Sequence, residues 1–500
     1  MRKLSLVILI TASLTAGING QNVDDALRYS QVFYTGSARF MSMGGAFTAL
    51  GGDLSTLSQN PAGLGVFRSS EISISPQLFH INTIANFKAN STEDYIYEFG
   101  LGQGGIVFSL PRRNKESGFT TLNFGYSYNQ TNNLNQHVTI NGVSNSSSLT
   151  DYWAEISDGF YHDQLETEAP DAFLAYDVWL IDTLSGSNVN YGTVYSNYGD
   201  NFPSTYGQTV QRLISTEGYT NEHAFSFGGS YSDKLFFGAT VGITRLRYTS
   251  KYEHSESTEA DLPSLFTDFN YTFYYDNIGT GYTFKLGAIY KPVESLRIGF
   301  GFHSPGLYRI DEYVNDNITS HFSDVAIPYE SSNEAVRYNY ALTTPFKILA
   351  GAALQIKKVG LISLDYEFID YGSAKFSETG DGYNYSAKNQ AIKNSLRPAN
   401  NLRLGAEARL NNIYFRGGYG YYGKVWKDDE LKSNVNYHSF SLGTGFREKN
   451  IIVDFGFTRM TNPDKYMLYD LNDTEIEDPM SEISVSRNIF TLTFGYKFGI

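Results

Sequence analysis

Apolar and polar residues alternate with a period of two through most of the chain after residue 70. The C-terminal segment shows this most clearly, since its apolar residues share one parity and are Phe490, Leu492, Phe494, Tyr496 and Phe498. Successive side chains of a strand point to opposite faces, so the pattern is typical of β-strands with one apolar face. Residues 282–290, 296–303 and 362–368 repeat it.

The spacing of these segments favours a closed barrel. Each apolar face holds four or five residues, which suits a tilted strand of about 9–11 residues that crosses a membrane. Short connections such as 232–234 and 411–412 alternate with long ones such as 82–100 and 132–206. A soluble sandwich would also alternate, but aromatic residues at the strand ends favour a membrane barrel. We therefore predict an all-β fold, a 14-stranded antiparallel transmembrane β-barrel over residues 70–500.

The N-terminus has the pattern of an export signal. Arg2 and Lys3 precede an apolar run from Leu4 to about Ala16, and small residues follow up to Gly20. This order predicts a secretory signal peptide over residues 1–20, with cleavage after Ala16 as the alternative site. The run is too short to span a bilayer as a helix, which takes about 20 residues. A buried N-terminal helix is the other interpretation.

A glycine-rich segment separates the signal from the first strand. Residues 37–65 read SARFMSMGGAFTALGGDLSTLSQNPAGLG, which is neither a strand pattern nor a strongly amphipathic helix. A compact segment of small residues ahead of a long series of strands suggests a barrel with a plug inside it. We expect residues 21–69 to form this plug, within the lumen of the barrel.

The same segment resembles the N-terminal hatch of the FadL/TodX family of outer-membrane transporters for hydrophobic compounds. The resemblance rests on the pattern A-R-x-M-x-M-G-G-A-F-T-A-L-G-x-D-x-S followed by N-P-A-G-L. It implies passive, hatch-gated uptake of long-chain fatty acids or aromatic hydrocarbons across a Gram-negative outer membrane, without a cofactor. Gly44, Gly45 and Asn60-Pro61-Ala62 would be gating residues, although Asn-Pro is also an ordinary turn initiator.

The long connection 132–206 contains a helical pattern. Between Tyr152 and Asp182, apolar and aromatic residues alternate with acids in the manner of one or two amphipathic helices. The resemblance implies that such an extracellular loop captures ligand, and the candidate residues are Trp153, Phe160, Phe173 and Trp179. A lid that only covers the barrel mouth is the alternative.

Composition excludes several kinds of function. The net charge is −14, from 38 basic and 52 acidic residues, and such a chain is a poor ligand for nucleic acid. No cysteine is present, so neither disulfides nor thiolate metal sites can form. The eight histidines lack metal-ligand spacing, and no G-x-S-x-G or P-loop motif occurs. We therefore predict no enzyme activity, no metal and no cofactor.

Glycine motifs within the strands have a structural interpretation. Two G-x-G-x-x-G matches begin at Gly100 and Gly418, but both lie in or beside strands and neither opens a helix. Glycine in a barrel strand more often marks a kink or a close approach. Gly102, Gly104 and Gly105 are our kink candidates, and in the FadL/TodX family a kinked strand opens a side gap beside the hatch.

Other features of the sequence leave several options open. Lumen-facing Asp365, Glu367 and Asp454 are expected to pair with basic residues of the same faces, which are Lys285, Arg297 and Lys497. The alternatives to transport are an adhesive or structural barrel, a haem-binding receptor, and a lipid hydrolase that would use His303 and Ser304.

We expect a monomer that contacts outer-membrane lipid and lipopolysaccharide. The aromatic C-terminal strand suggests recognition by the barrel-assembly machinery.

Overall fold

The computed structural model describes residues 21–111, 118–197, 205–380, 382–472 and 478–499. The predicted signal peptide, residues 1–20, lies outside the described residues. The helices are α1 Val23–Ser30, α2 Ala38–Ser42, α3 Thr56–Gln59, α4 Leu149–Ser157, α5 Leu165–Glu168, α6 Pro170–Asp177 and α7 Ser386–Ser395, with a 3-10 turn at Pro61–Val66. Within these ranges, no helix combines the length and the apolar character that crossing a membrane requires.

The strands fall into one large sheet and one small hairpin. They are β1 Ser70–Phe87, β2 Asn90–Pro111, β3 Phe119–Asn133, β4 Gln136–Ser144, β5 Ile181–Thr183, β6 Tyr191–Thr193, β7 Gln208–Tyr231, β8 Leu235–Ser257, β9 Phe266–Val293, β10 Leu296–His303, β11 Leu307–Phe322, β12 Tyr329–Ser332, β13 Val336–Thr343, β14 Lys347–Ile356, β15 Gly360–Asp370, β16 Lys375–Glu378, β17 Pro398–Leu410, β18 Ile413–Tyr422, β19 Tyr437–Glu448, β20 Ile451–Met467 and β21 Met480–Phe498.

The sheet closes on itself. Strand β1 pairs with β21 from Ser70↔Phe498 to Phe87↔Ser481, so the first and last strands of the barrel are hydrogen-bonded neighbours. Three barrel strands consist of two elements each, which are β3 with β4, β10 with β11, and β15 with β16, and a fourth consists of β12, β13 and β14. The result is a closed 14-stranded antiparallel barrel, which confirms the predicted fold class. Closure satisfies the backbone groups that an open edge would leave unpaired in a bilayer.

The outer wall is apolar and the interior is polar. Phe440 and Leu442 on β19 are 60% and 66% exposed on the outside. Thr491 and Arg403, on the luminal face of other strands, are 0% and 1% exposed. This arrangement reverses that of a soluble protein and is the expected one for a barrel that spans a membrane, with lipid outside and a polar lumen inside.

The predicted long connection at 82–100 is wrong. The β1–β2 ladder continues without interruption beyond the apolar segment to Phe87↔Asn90, and Lys88 and Ala89 form the turn. Above the membrane both faces of a strand are hydrated, so polar residues replace the apolar face while the backbone remains extended. The period-two signal is then lost, although the strand continues.

Two adjacent strands are interrupted at the same level. Ser304-Pro305-Gly306 separates β10 from β11, and Thr344-Pro345-Phe346 separates β13 from β14. Proline has no N–H for a ladder hydrogen bond, so both ladders break there. The wall remains joined because Thr344 donates its N–H to the Gly306 carbonyl at 2.9 Å and accepts from the Gly306 N–H at 3.0 Å.

Candidate functional site

The N-terminal residues 21–69, called the luminal segment below, lie inside the barrel. Hydrogen bonds tie them to luminal side chains on many strands, which are Asn123 and Asn129 on β3, Thr240 on β8, Lys285 on β9, Asp365 on β15, Glu407 on β17 and Thr493 on β21. The contacts surround the segment, so it closes the lumen at this level.

The Asn60-Pro61-Ala62 motif begins the 3-10 turn of the luminal segment. The Asn60 side chain accepts from the Ala62 N–H at 3.1 Å, and Pro61 occupies the first position of the turn. Asn60 also donates its side-chain Nδ2–H to the Thr48 carbonyl at 2.5 Å. The motif therefore links the turn to the preceding loop, and all three residues are buried.

A belt of wall glycines leaves room for the luminal segment. At each position a Cβ atom would collide with the segment, and the belt glycines are Gly238, Gly287, Gly299, Gly405, Gly418 and Gly443. Gly287 meets the Asn60 side chain, Gly299 meets the Thr48 carbonyl, and Gly418 meets the backbone of Gly44. The alternation of apolar and polar residues alone does not reveal this belt. Its signal is a glycine at luminal parity in strand after strand.

Buried charged side chains also hold the luminal segment against the wall. Arg39 donates to both Glu407 oxygens, from Nε at 2.9 Å and from Nη2 at 3.3 Å. Glu407 also accepts from Arg416 Nε at 2.7 Å, and Arg416 Nη1 donates to Asp454 at 2.8 Å. One arginine of the luminal segment thus joins a charged network on three wall strands, and all four side chains are nearly excluded from solvent.

The luminal acids were placed correctly in the lumen, but their predicted partners are wrong. Asp365 accepts from the N–H and hydroxyl of Thr48, and Glu367 pairs with Arg403 at 2.9 Å. The predicted basic partners make other contacts, which are Glu222 for Lys285, the Leu50 carbonyl for Arg297, and Glu71 for Lys497. Partner choice depends on how the luminal segment is seated, which strand parity does not reveal.

A cavity of about 260 Å³ lies in the lumen against the luminal segment. Gly44 and Gly45 are among its lining residues, whereas Asn60, Pro61 and Ala62 pack against the wall on β8 and β9. Many lining residues are aromatic or aliphatic, among them Leu27, Phe33, Tyr34, Met41, Phe79, Tyr248, Tyr422, Trp426, Tyr437, Met460 and Ile489, and about as many are polar or charged. Three cationic side chains also reach it, namely Arg28, Lys432 and Arg487.

The cations differ in their partners. Arg28 pairs with Asp25, and Lys432 pairs with Asp24 at 3.0 Å. Arg487 donates to the Asn462 side chain at 3.2 Å, and in the described part of the chain no carboxylate lies within ion-pair distance of it. The cavity thus combines apolar and polar lining residues with one guanidinium whose direct hydrogen-bond partner is neutral, and the carboxylate Asp464 lines the same cavity.

The four aromatic candidates of the outer loop occupy different environments. Trp153 on α4 is 0% exposed, with its ring 5.6 Å from Phe269 and 5.4 Å from Tyr271 of β9. Phe160 and Phe173 are partly buried against the same apolar cluster. Trp179 is 48% exposed. The beginning of this connection is also not a loop, because β4 pairs with β7 and extends the barrel wall.

Of the three kink candidates, one lies where the wall is irregular. The β1–β2 register shifts between Ser75↔Gln103 and Pro76↔Leu101, so Gly102 has no direct partner on β1. The β2–β3 ladder runs from Gln103 to Pro111 and therefore ends beside Gly102. Farther out, β2 contacts β4 through side chains, with Asp94 accepting from the Thr139 N–H at 2.6 Å. Gly104 and Gly105 lie within the regular ladder.

The residues suggested for a hydrolase or a metal site are engaged elsewhere or dispersed. His303 lies in the lumen with Nε2 2.7 Å from the Gln59 carbonyl. Ser304 accepts from the Phe284 N–H and donates to the Pro305 carbonyl. Among the residues that the structure describes, no group of three or more His, Asp or Glu side chains could hold a metal ion.

A partly buried carboxylate caps helix α4 and links it to the connection before β7. Asp151 accepts from the Ser148 N–H at 2.7 Å and from the Tyr206 hydroxyl at 3.0 Å. Burial nevertheless raises the pKa of Asp151 to about 7. Because the docked helix binds a proton that the undocked chain releases near pH 4, its stability should fall as the pH rises from about 4 to about 7.

Hydrogen exchange of residues 148–157 measures this effect. After correction for the intrinsic rate, we expect protection of these amides to decrease between pH 4 and pH 7. An Asp151→Asn variant keeps an acceptor but cannot ionise, so its protection should be nearly independent of pH over this range. Equal pH dependence in both proteins would rule out Asp151 as the titrating group.

Comparisons with known proteins agree with this geometry. A model of an uncharacterised protein family, UPF0164, matches residues 7–147. No curated protein matches the sequence. Among solved structures, a Pseudomonas aeruginosa FadL homologue superposes with a TM-score of 0.55 at 13% identity, over 94% of this chain and 100% of the other. The Pseudomonas putida toluene transporter TodX gives a TM-score of 0.51 at 11% identity, over 94% and 100%.

The chain has the fold of FadL-type channels. The superpositions span 94% of this chain and the full length of each neighbour, so the likeness is one of the whole fold rather than of a part of it. At 11–13% identity the comparison establishes this FadL-type fold and leaves the ligand to be argued from the residues of the cavity.

Proposed function

We propose that the protein is an outer-membrane channel for the passive, hatch-gated uptake of hydrophobic small molecules. The observation that carries this proposal is a cavity of about 260 Å³, lined by aromatic and aliphatic side chains together with polar ones, inside a membrane barrel that the luminal segment closes. Small-molecule sites in proteins are typically about 300–1,000 Å³, so a cavity of this size suits a small or flexible ligand.

The structural neighbours support the same class of ligand. TodX is a toluene transporter, and the other neighbour is a FadL homologue. Both are channels rather than enzymes, in keeping with the expectation that this chain catalyses no reaction. Nothing in the described residues favours an adhesive or haem-binding function over transport.

The path we propose uses the luminal segment as the hatch. Ligand from the outer loops would enter the cavity beside Gly44 and Gly45, on the outer side of the segment. Movement of the segment would then open the lumen. The exit is either inward or sideways through the irregular wall at Gly102. We further propose that residues 1–20 direct export, that the barrel is a monomer, and that the barrel-assembly machinery recognises β21.

Trp426 offers a direct test, because it is the one tryptophan of three that lines the cavity. In a Trp153→Phe, Trp179→Phe background, we expect toluene or oleate to change the Trp426 emission saturably. A Trp153→Phe, Trp426→Phe variant, which keeps only the exposed Trp179 outside the cavity, is the control for non-specific quenching. A linear, non-saturable response to both ligands would contradict ligand binding in the lumen.

Arg487 should separate acidic ligands from neutral ones. A carboxylate would gain a charge-assisted hydrogen bond from this guanidinium, whereas a hydrocarbon would not. We expect Arg487→Met to weaken oleate binding about tenfold or more and to leave toluene binding nearly unchanged, as followed by Trp426 emission. Equal loss for both ligands would mean that the variant has altered the shape of the cavity.

A further inference from the structure

Exposed arginines lie together on the outside of the barrel. Arg245 and Arg247 belong to β8, Arg309 to β11 and Arg337 to β13. All four are exposed and continue the outward parity of their strands. Strand β9 lies between β8 and β11, and β13 follows β11, so the four side chains belong to one continuous patch of wall.

Two of these arginines flank the same residue. The strand registers place Arg245 and Arg309 on either side of Thr280 of β9. Arg245 Nη1 donates to the Thr280 hydroxyl at 3.2 Å. Neighbouring strands are about 4.8 Å apart, so the two arginine backbones are separated by roughly 10 Å. Arginine side chains are long enough for both guanidinium groups to contact one anion above Thr280.

The patch marks the upper boundary of the apolar wall. On the side of the short turns, each strand carries an exposed apolar or aromatic residue, with Val241 51%, Tyr282 56% and Leu307 59% exposed. On the side of the long loops, Tyr274 and Tyr313 follow, with ring centroids 6.0 Å apart. The arginines thus stand where lipid headgroups would meet the barrel, if the long loops are extracellular.

Charge on this patch is not balanced by ion pairs. In the part of the chain that the structure describes, none of these arginines forms an ion pair, although Asp276 and Asp311 are close along the strands. Asp276 accepts instead from the Thr249 hydroxyl at 2.6 Å. The whole chain carries a net charge of −14, so a cluster of exposed arginines is unusual in a protein with this excess of acidic residues.

We propose that this face binds the phosphorylated headgroup of an outer-leaflet glycolipid. Arg245 and Arg309 hold a phosphate over Thr280, since guanidinium groups match phosphate geometry and bind it strongly at a partly desolvated interface. Acyl chains lie along Val241, Tyr282 and Leu307, and the sugar lies toward Tyr274 and Tyr313. The inference rests on the outer-membrane location in the proposed function, but not on transport.

Native mass spectrometry of the detergent-purified barrel tests this, with lipid A that carries two phosphates as the probe. We expect the wild type to bind it at least about tenfold more tightly than its dephosphorylated form. Arg245→Gln/Arg309→Gln should lose about tenfold or more in affinity for the phosphorylated form. Arg409→Gln is the control, because Arg409 is exposed at the opposite rim.

Each other outcome would overturn the proposal. Equal binding by the double variant and the wild type would exclude the arginines, and equal binding of both lipid forms would exclude the phosphate. Competition by inorganic phosphate at the concentration at which lipid A binds would indicate an anion site without lipid recognition. The Trp426 response to ligand, measured on the same variants, reports folding and the proposed transport site independently of the lipid result.

Discussion

Replacing Gly299 by alanine should displace the luminal segment from the wall. A Cβ atom at residue 299 would overlap the Thr48 carbonyl and lie 2.8 Å from the Ala49 Cα atom. Both are backbone atoms, so neither can turn aside as a flexible side chain could. Overpacking of this kind costs about 1–3 kcal/mol of stability. Here we expect it to weaken the contact between the segment and the wall rather than the hydrogen bonds between the wall strands.

Gly301 provides a matched control on the same face of the same strand. A Cβ atom there would be 3.4 Å from the Leu349 Cβ atom, which is ordinary contact. We expect Gly299→Ala to raise single-channel conductance in planar bilayers and to expose residues 21–69 to protease, and Gly301→Ala to do neither. Indistinguishable behaviour of the two variants would contradict the tight fit between the belt glycines and the segment.

Replacing Glu407 by glutamine should loosen the same segment through charge. The change preserves size but leaves Arg39 without its carboxylate and leaves Arg416 with Asp454 alone. Breaking a buried ion pair by removing one partner costs about 3–5 kcal/mol, because the remaining charge is desolvated and uncompensated. We expect the midpoint of urea unfolding in lipid vesicles to fall, and protease access to residues 21–69 to increase.

An exposed ion pair between the same two parts of the molecule is the control. Arg68 of the luminal segment pairs with Asp233 at 2.8 Å, and their side chains are 45% and 53% exposed. Exposed pairs contribute about 0–1 kcal/mol, so Asp233→Asn should change the midpoint little. If Asp233→Asn proves as harmful as Glu407→Gln, burial is not what makes the Arg39 pair important.

Strand parity in the sequence predicted the barrel, its closure and the luminal position of acids such as Asp365, because a period of two is a local property of the chain. The same reasoning placed a long connection at 82–100, since it followed the apolar face and not the backbone. Polar residues such as Glu93 and Asp94 continue β2 above the membrane, where hydration removes the pattern.

The site was less accessible from the sequence. The hatch motif identified residues 37–65 but not their partners, because the contacts of Arg39 with Glu407 and of Thr48 with Asp365 join residues more than 300 positions apart. For Trp153 the sequence suggested a role that the structure does not support. An aromatic residue in a loop suggested ligand capture, yet its ring is packed against Phe269 and Tyr271. Only the three-dimensional packing separates these two roles.

Gating requires that movement of the luminal segment opens the barrel, and a reversible tether between the segment and the wall tests this requirement. The chain has no cysteine, so Ser58→Cys/Asn129→Cys can be joined selectively by a short bis-methanethiosulfonate reagent. Their native side-chain atoms Oγ and Nδ2 are 2.8 Å apart, and the pair links the segment to β3. Thr120→Cys/Ser230→Cys, whose hydroxyls are 2.7 Å apart, links two wall strands as the control.

The measurement is flux of an apolar probe such as toluene into proteoliposomes before and after reduction. The account predicts that the tether on the segment abolishes protein-dependent flux, that reduction restores it, and that the tether within the wall has no effect. Undiminished flux through the barrel with its segment tethered to β3 would contradict gating by the luminal segment.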